Sequence, residues 1–226
     1  MKYAPCTRWL VVCGVLMLGG ILPGRLPAAE SADSGGAAAP TALEQFRDKF
    51  IREFQRIGLN TAPGDAAFLR ILVEASGAKR GVEIGTATGY GAMLMGLGFE
   101  RNGGHLSTVD IDPKMVAAAR ENLKQMRLEN VVTVVEGDAL KVIPALEGTF
   151  DFVFLDAVKR DYLKYFKGLE PKLKPGAVIV ADNVIKSARS MQDFLDAVKN
   201  DPNYHMVIIR ASDLKDDGMA VIYKLK

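Results

Sequence analysis

The sequence predicts an α/β fold: a seven-stranded, mostly parallel sheet with an antiparallel last strand and helices on both faces. Three observations predict it. Short β-like apolar runs alternate with helical stretches along most of the chain, the alternation that covers a parallel sheet with helices. Five successive runs end in an acid or a glycine, at the sheet edge where open α/β folds bind ligands. The last two runs are joined by residues 211–218 without a helix, so they form a hairpin and the last strand runs antiparallel to its neighbour.

The elements follow in order. Thr41 caps a first helix, and Glu44 stands three residues on, at capping-box spacing. Leu43, Phe46, Phe50, Phe54 and Ile57 then recur at helical spacing up to Gly58, which gives the helix an aromatic face. That face either packs against the domain or a second subunit, or forms a lid over a substrate. A second helix over 63–76 starts with Pro63, a residue suited to a first helical turn. Strands are expected over 81–84, 105–110, 131–136, 150–156 and 177–182. Helices are expected over 90–99, 113–128, 139–146, 162–169 and 187–199, and the last two strands over 204–210 and 219–224.

The body, 41–226, is of a size for one domain. It is preceded by a leader. Residues 1–29 carry Lys2 and Arg8, an apolar run from Trp9 to Leu22, then Pro23, Gly24 and Pro27 before Ala28 and Ala29. This is the layout of a secretory signal, and the run is shorter than the ~20 residues a spanning helix needs, so a cleaved signal and an uncleaved anchor are both expectations. Either one exports the protein or ties it to a membrane by this segment. Residues 30–40 are small and polar and form a flexible linker.

The leader has three basic residues and no acid, so 26 basic and 27 acidic residues remain for the rest. A near-neutral body argues against nucleic acid as a partner. Both cysteines, Cys6 and Cys13, also lie in the leader, which excludes a disulfide framework, a zinc–cysteine site and a thiol nucleophile from the body.

The strand ends carry the candidate chemistry. The first ends in Glu83-Ile84-Gly85, the second in Asp110, the third in Gly137-Asp138, the fourth in Asp156 and the fifth in Asp182-Asn183. Glycines at 85, 89 and 91 follow the first strand and open a helix. Their spacing is neither the dinucleotide fingerprint nor a P-loop, yet it lets a ligand approach the backbone closely. Asp110 is placed to accept hydrogen bonds from two ribose hydroxyls, and Asp138 and Ala139 to border an adenine ring. Asp156, Asp182 and Asn183 offer three oxygen ligands from two neighbouring strand ends, which suits a hard cation such as Mg²⁺. No histidine stands near these acids to favour zinc. Lys159, beside Arg160, reads on its own as a solvated surface residue.

The stretch Glu83-Ile84-Gly85-Thr86-Ala87-Thr88-Gly89-Tyr90, the run Val109-Asp110-Ile111-Asp112-Pro113 and the run Gly137-Asp138-Ala139-Leu140 resemble class I S-adenosylmethionine-dependent methyltransferases. With Asp156, Lys159 and Asp182-Asn183, the body resembles more narrowly the cation-dependent O-methyltransferases, the family of catechol and caffeoyl-CoA O-methyltransferases. The resemblance implies their Rossmann-like fold, S-adenosyl-L-methionine as cofactor, a divalent cation and a homodimer. It implies that Glu83 holds the cofactor's amino group, that Gly85 and Thr86 pass beside it, that Asp110 binds the ribose and that Ala139 contacts the adenine. Thr61 falls at a cofactor-contacting position. Gly91 stands where the family usually has serine, so a side-chain contact to the cofactor's carboxylate is lost.

The resemblance also makes Asp156, Asp182 and Asn183 the metal ligands, Asp156 a cofactor neighbour as well, and Lys159 the general base. Proton transfer to Lys159 becomes feasible once a dication polarises the acceptor hydroxyl. The acceptor is expected to be a small catechol-like or phenolic molecule. Val158 and Ser187 replace an acid and an asparagine of the plant-type members, which argues against caffeoyl-CoA itself.

Two other readings compete. A nicotinamide-dependent oxidoreductase leaves Asp156, Asp182 and Asn183 unexplained. A non-catalytic module that binds S-adenosylmethionine fits the leader, because that cofactor is cytosolic. Asp213, Asp216 and Asp217 read as solvated loop acids, and His105 and His205 as packing residues.

Overall fold

The computed structural model describes residues 39–226; the leader, its two cysteines and most of the linker lie outside the described residues. Thr41–Lys226 is one compact unit. Its strands are β1 (Arg80–Ile84), β2 (His105–Asp110), β3 (Val132–Glu136), β4 (Phe150–Leu155), β5 (Leu173–Ala181), β6 (Tyr204–Ile209) and β7 (Met219–Lys224). Its helices are α1 (Ala42–Glu53), α2 (Pro63–Ser76), α3 (Tyr90–Asn102), α4 (Pro113–Gln125), α5 (Ala139–Ala145), α6 (Tyr162–Leu169) and α7 (Gln192–Lys199).

The strands form one sheet in the order β3-β2-β1-β4-β5-β7-β6. β1 to β5 pair in parallel, and β7 pairs antiparallel with both β5 and β6, as the hairpin argument requires. Alternation along β4 shows how the sheet is held. Phe152 and Phe154 face a core with α2, α3 and α4, while Val153 and Leu155 face a second core with α5, α6 and α7. Strands buried on both faces read as continuous apolar runs, which is why 150–155 and 177–181 were legible. Phe152 meets Phe99 edge to face at 6.1 Å, and truncating such a ring to alanine costs about 3–5 kcal/mol.

Four of the boundaries that differ from the sequence reading have a tertiary reason. The capping box of Thr41 and Glu44 forms, but α1 stops at Glu53 rather than near Gly58. Phe54 turns to extended backbone and stacks on Tyr90 at 5.3 Å, and Arg56 covers the same ring. The aromatic face thus packs on the domain, leaving Phe46 exposed; the chain after the helix, not the face, reaches the cavity described below. α4 ends three residues early at a left-handed Arg127, where Arg47 of α1 donates to the carbonyls of Met126 and Arg127 and pairs with Glu100. β5 begins at Leu173 because Leu173 pairs with Phe150 before a bulge at left-handed Gly176. The expected helix over 187–199 is a short 3₁₀ turn followed by α7, broken where Met191 leaves helical backbone and buries its side chain.

Candidate active site

The ladder delivers the site residues. The residue after each of β1, β3, β4 and β5 donates its N–H to a carbonyl at the end of a neighbouring strand: Gly85 to Val109, Gly137 to Asp110, Asp156 to Ile84 and Asp182 to Leu155, at 2.8–2.9 Å. The side chains at these positions therefore project from one edge. Around them lies a cavity of about 860 Å³, within the ~300–1,000 Å³ of small-molecule sites. Gly85, Asp110, Asp138, Ala139, Asp156, Lys159, Asp182 and Asn183 line it together. Ile111, Leu140, Val158 and Leu214 add exposed apolar surface to the same wall.

Gly85 has φ +101, and a side chain there would run into the carbonyl of Asp156. This close approach keeps β1 and β4 together at the cavity floor. Asp110 accepts from the N–H groups of Thr86 and Ala87 with one oxygen and of Asp112 with the other, so it fixes the glycine-rich turn while facing the cavity. Asp138 caps α5 through the N–H of Leu140.

Glu83, Thr61, Thr86 and Gly91 are buried beside the cavity rather than on its wall. A Cβ at Gly91 would lie 2.9 Å from the Thr61 hydroxyl oxygen and 3.0 Å from Glu83 Oε1, so these three residues form one group. Thr108 donates to Glu83 and also contacts the Thr86 hydroxyl. Burial pushes the Glu83 carboxyl up to about 8; the Thr108 hydrogen bond opposes this, and the charges of Asp156 and Asp110 add to it. Asn60 joins the lining, and its buried side-chain nitrogen has no hydrogen-bond partner.

At the other end, Lys159 Nζ donates to Asp156 Oδ1 at 2.8 Å and to the Tyr162 hydroxyl at 2.9 Å. Tyr162 in turn donates to the carbonyls of Leu155 and Asp182. Burial raises the Asp156 carboxyl above the ordinary aspartate value; the Lys159 ammonium offsets part of this and the Asp182 charge adds to it. Asn183 has φ +61, a left-handed conformation that asparagine tolerates better than most residues. Its amide nitrogen donates to Asp217 at 3.3 Å, which turns its carbonyl oxygen the other way.

Asp217 corrects the sequence reading. It is buried, not solvated, and accepts the N–H groups of Ile185, Lys186 and Gly218. Burial pushes its carboxyl up, but these hydrogen bonds outweigh that and hold it below the usual aspartate range. Asp216 pairs with Arg210 at the surface and Asp213 is exposed, as expected of loop acids. His105 contacts Thr133, and neither histidine lines the cavity.

The sequence reading missed Lys215. Its ammonium lies 2.7 Å from each carboxylate oxygen of Asp182 and 2.6 Å from Asp65 Oδ2. Asp65 sits in the first turn of α2 at 1% exposure. Burial raises its carboxyl, with Lys215 opposing. Burial lowers the Lys215 ammonium, but its bonds to Asp182 and Asp65 outweigh that and leave it raised.

Asp156, Asp182 and Asn183 suit a hard divalent cation. All three offer oxygen, Asp156 keeps one oxygen without a hydrogen bond, and the Asp217 contact frees the Asn183 carbonyl.

The chain matches the O-methyltransferase family model over residues 32–222. A catechol O-methyltransferase from Niastella koreensis is 34% identical over 139 residues, 60% of this chain and 62% of that protein. One from Mycobacterium tuberculosis is 36% identical over 146 residues, 64% of this chain and 65% of that one. The matched region thus spans just under two thirds of these curated relatives. Among solved structures, cofactor-bound Rv0187 from MTB is 30% identical, with TM-score 0.69 over 81% of this chain and 88% of that one. The O-methyltransferase from Bacillus cereus in complex with SAH shares the fold at TM-score 0.71, over 84% of this chain and 93% of that one, at 23% identity. With the family model covering most of its length and the fold agreeing, the chain belongs to the O-methyltransferase family.

Proposed function

We propose that this protein transfers a methyl group from S-adenosyl-L-methionine to a hydroxyl of a small catechol-like or phenolic acceptor, and that it uses a divalent cation, Mg²⁺, to do so. One observation carries the reading. A single cavity runs from Asp110 and Ala139, which suit a ribose and an adenine, to Asp156, Lys159, Asp182 and Asn183, which suit a cation and a proton transfer. The catechol O-methyltransferases among the relatives support the acceptor class.

When bound, the cation supplies charge neutralisation to acceptor oxygens. The remaining work falls to the chain. Asp110 holds the ribose, Glu83 the amino group of the methionine part, with Thr61 and Gly91 packed against it, and Gly85 and Thr86 carry the backbone past the ligand. Lys159, fixed by Asp156 and Tyr162, first gives its ammonium proton to water and then, as the neutral amine, accepts the acceptor's hydroxyl proton on Nζ. The freed oxygen forms a bond to the methyl carbon as the carbon–sulfur bond breaks, leaving S-adenosylhomocysteine. Apolar surface from Val158 and Leu214 suits a flat ring. Most of the acceleration comes from positioning.

The experiment is methyl transfer to a panel of small catechols by the full chain, with Mg²⁺, with EDTA, and with Lys159→Ala. Turnover that needs metal and falls sharply in the variant is the expected result. Cofactor binding without turnover on any acceptor would favour a binding module, and no cofactor binding would overturn the assignment of Glu83 and Asp110. Export or, alternatively, membrane attachment through the N-terminal segment, and a homodimer, are part of this proposal. Fractionation, N-terminal sequencing and light scattering test them.

A further inference from the structure

The Lys215 ammonium sits between two carboxylates. Three carboxylate oxygens stand within 2.7 Å of its nitrogen: both of Asp182, to which it donates hydrogen bonds, and one of Asp65, which it meets as an ion pair. Asp182 meanwhile is one of the three oxygen residues that suit the cation. Lys215 therefore places a positive charge on a carboxylate that a dication also needs.

The surroundings provide a second seat. Asp65 is buried, and neither of its carboxylate oxygens has a hydrogen-bond partner. It is held close to the loop because Gly64 lets α2 approach the backbone of Ala211 and Ser212; a Cβ at Gly64 would stand 2.6 Å from the Ala211 carbonyl. Lys215 lies on this loop between β6 and β7, beside exposed Leu214, and its four-carbon stem is flexible. The ammonium can leave Asp182 while keeping Asp65. Asp65 complements the dipole at the start of α2, and as a buried carboxylate with one ionic partner and no hydrogen bond it is also what a displaced ammonium would need.

We propose that Lys215 is a resident cation that occupies Asp182 in the metal-free protein and shifts onto Asp65 when the divalent cation binds, so that the Lys215–Asp65 pair sets the metal affinity. This rests on the reading of Asp156, Asp182 and Asn183 as the metal site. Lys215 is a positioning residue here, and it makes opposite demands on its two partners. Removing the ammonium frees Asp182 for metal. Removing the Asp65 charge leaves the ammonium with Asp182 alone, and metal must then displace it with nowhere to go.

The test is direct Mn²⁺ binding to the full chain without acceptor, read from the EPR signal of free Mn²⁺. Lys215→Met is expected to bind Mn²⁺ about tenfold tighter or more, and Asp65→Asn about tenfold weaker, the scale of one charge placed beside an ion. The double variant should bind like Lys215→Met alone, because Asp65 acts only through the ammonium. It also avoids leaving Asp65 buried and unpaired. Melting in EDTA reports whether each variant folds. A structural clamp would instead weaken Mn²⁺ in all three variants alongside a lower melting temperature. That result, or no change in Lys215→Met while Asp182→Asn abolishes binding, overturns the inference and leaves the metal reading standing. No uptake by either the wild type or Lys215→Met overturns both.

Discussion

Tyr162 holds Lys159 in place while being held itself: its hydroxyl accepts from Lys159 Nζ at 2.9 Å and donates to the Leu155 carbonyl at 2.9 Å. Burial keeps its phenol well above the ordinary tyrosine value, so it stays a neutral donor. Tyr162→Phe removes the support without touching the cofactor half. Turnover is expected to fall roughly tenfold or more, short of the ~10²–10⁴ of losing an acid–base group outright. Cofactor affinity should not move, and calorimetric titration beside kcat separates the two.

Asp156 faces both halves of the site. Asp156→Ala is expected to abolish turnover, and the residual rate should no longer respond to EDTA. In the wild type, EDTA should stop the reaction and added Mg²⁺ restore it. A rate unaffected by either treatment would refute the metal assignment.

Glu83 makes a prediction in pH. Its carboxyl titrates near 8 in the folded chain against 4.5 for an ordinary glutamate. Between those values the folded state holds a proton that the unfolded state has lost. Stability from this group is therefore present below the ordinary value and lost as pH rises towards 8, on the order of 5 kcal/mol in all. Glu83→Gln should flatten that slope in denaturant melts. A cofactor ammonium favours the carboxylate, so binding near neutral pH should release a proton. Calorimetry in buffers of different ionisation enthalpy measures that release, which Glu83→Gln should abolish.

Gly91 lies against Thr61 and Glu83, so Gly91→Ser meets both. The expected cost is about 1–3 kcal/mol of stability, the range for overpacking a tight site. Cofactor affinity should fall with it. Thr61→Ala in the same chain should restore part of both, because it removes the oxygen 2.9 Å away.

Much of this site could be read from the sequence because strands announce their ends. Asp156 and Asp182 each follow a buried apolar run, Asp110 ends a shorter β-like one, and the parallel ladder carries all three to one edge. Thr41 and Pro63 marked helix starts through local chemistry alone. Lys215 gave no such signal. It sits in a polar loop, and only the folded chain brings it to Asp65 and Asp182. Asp217 was misread for the same reason, since its partners are mostly backbone N–H groups of another turn. The early end of α1 was hidden too, because Tyr90, which draws Phe54 and Arg56 out of the helix, is remote in sequence.

The placement of β7 between β5 and β6 has a consequence for synthesis. A ribosome delivers β6 before β7, yet among the described residues β6 pairs with nothing but β7. The sheet therefore halts at β5 until β7 emerges, and the sixth strand waits as an unpaired edge. The loop bearing Lys215 and Asp217 can settle only when β7 slots in beside β5. A nascent chain would thus complete the edge bearing Asp110 and Asp138 before the edge bearing Lys215 and Asp217.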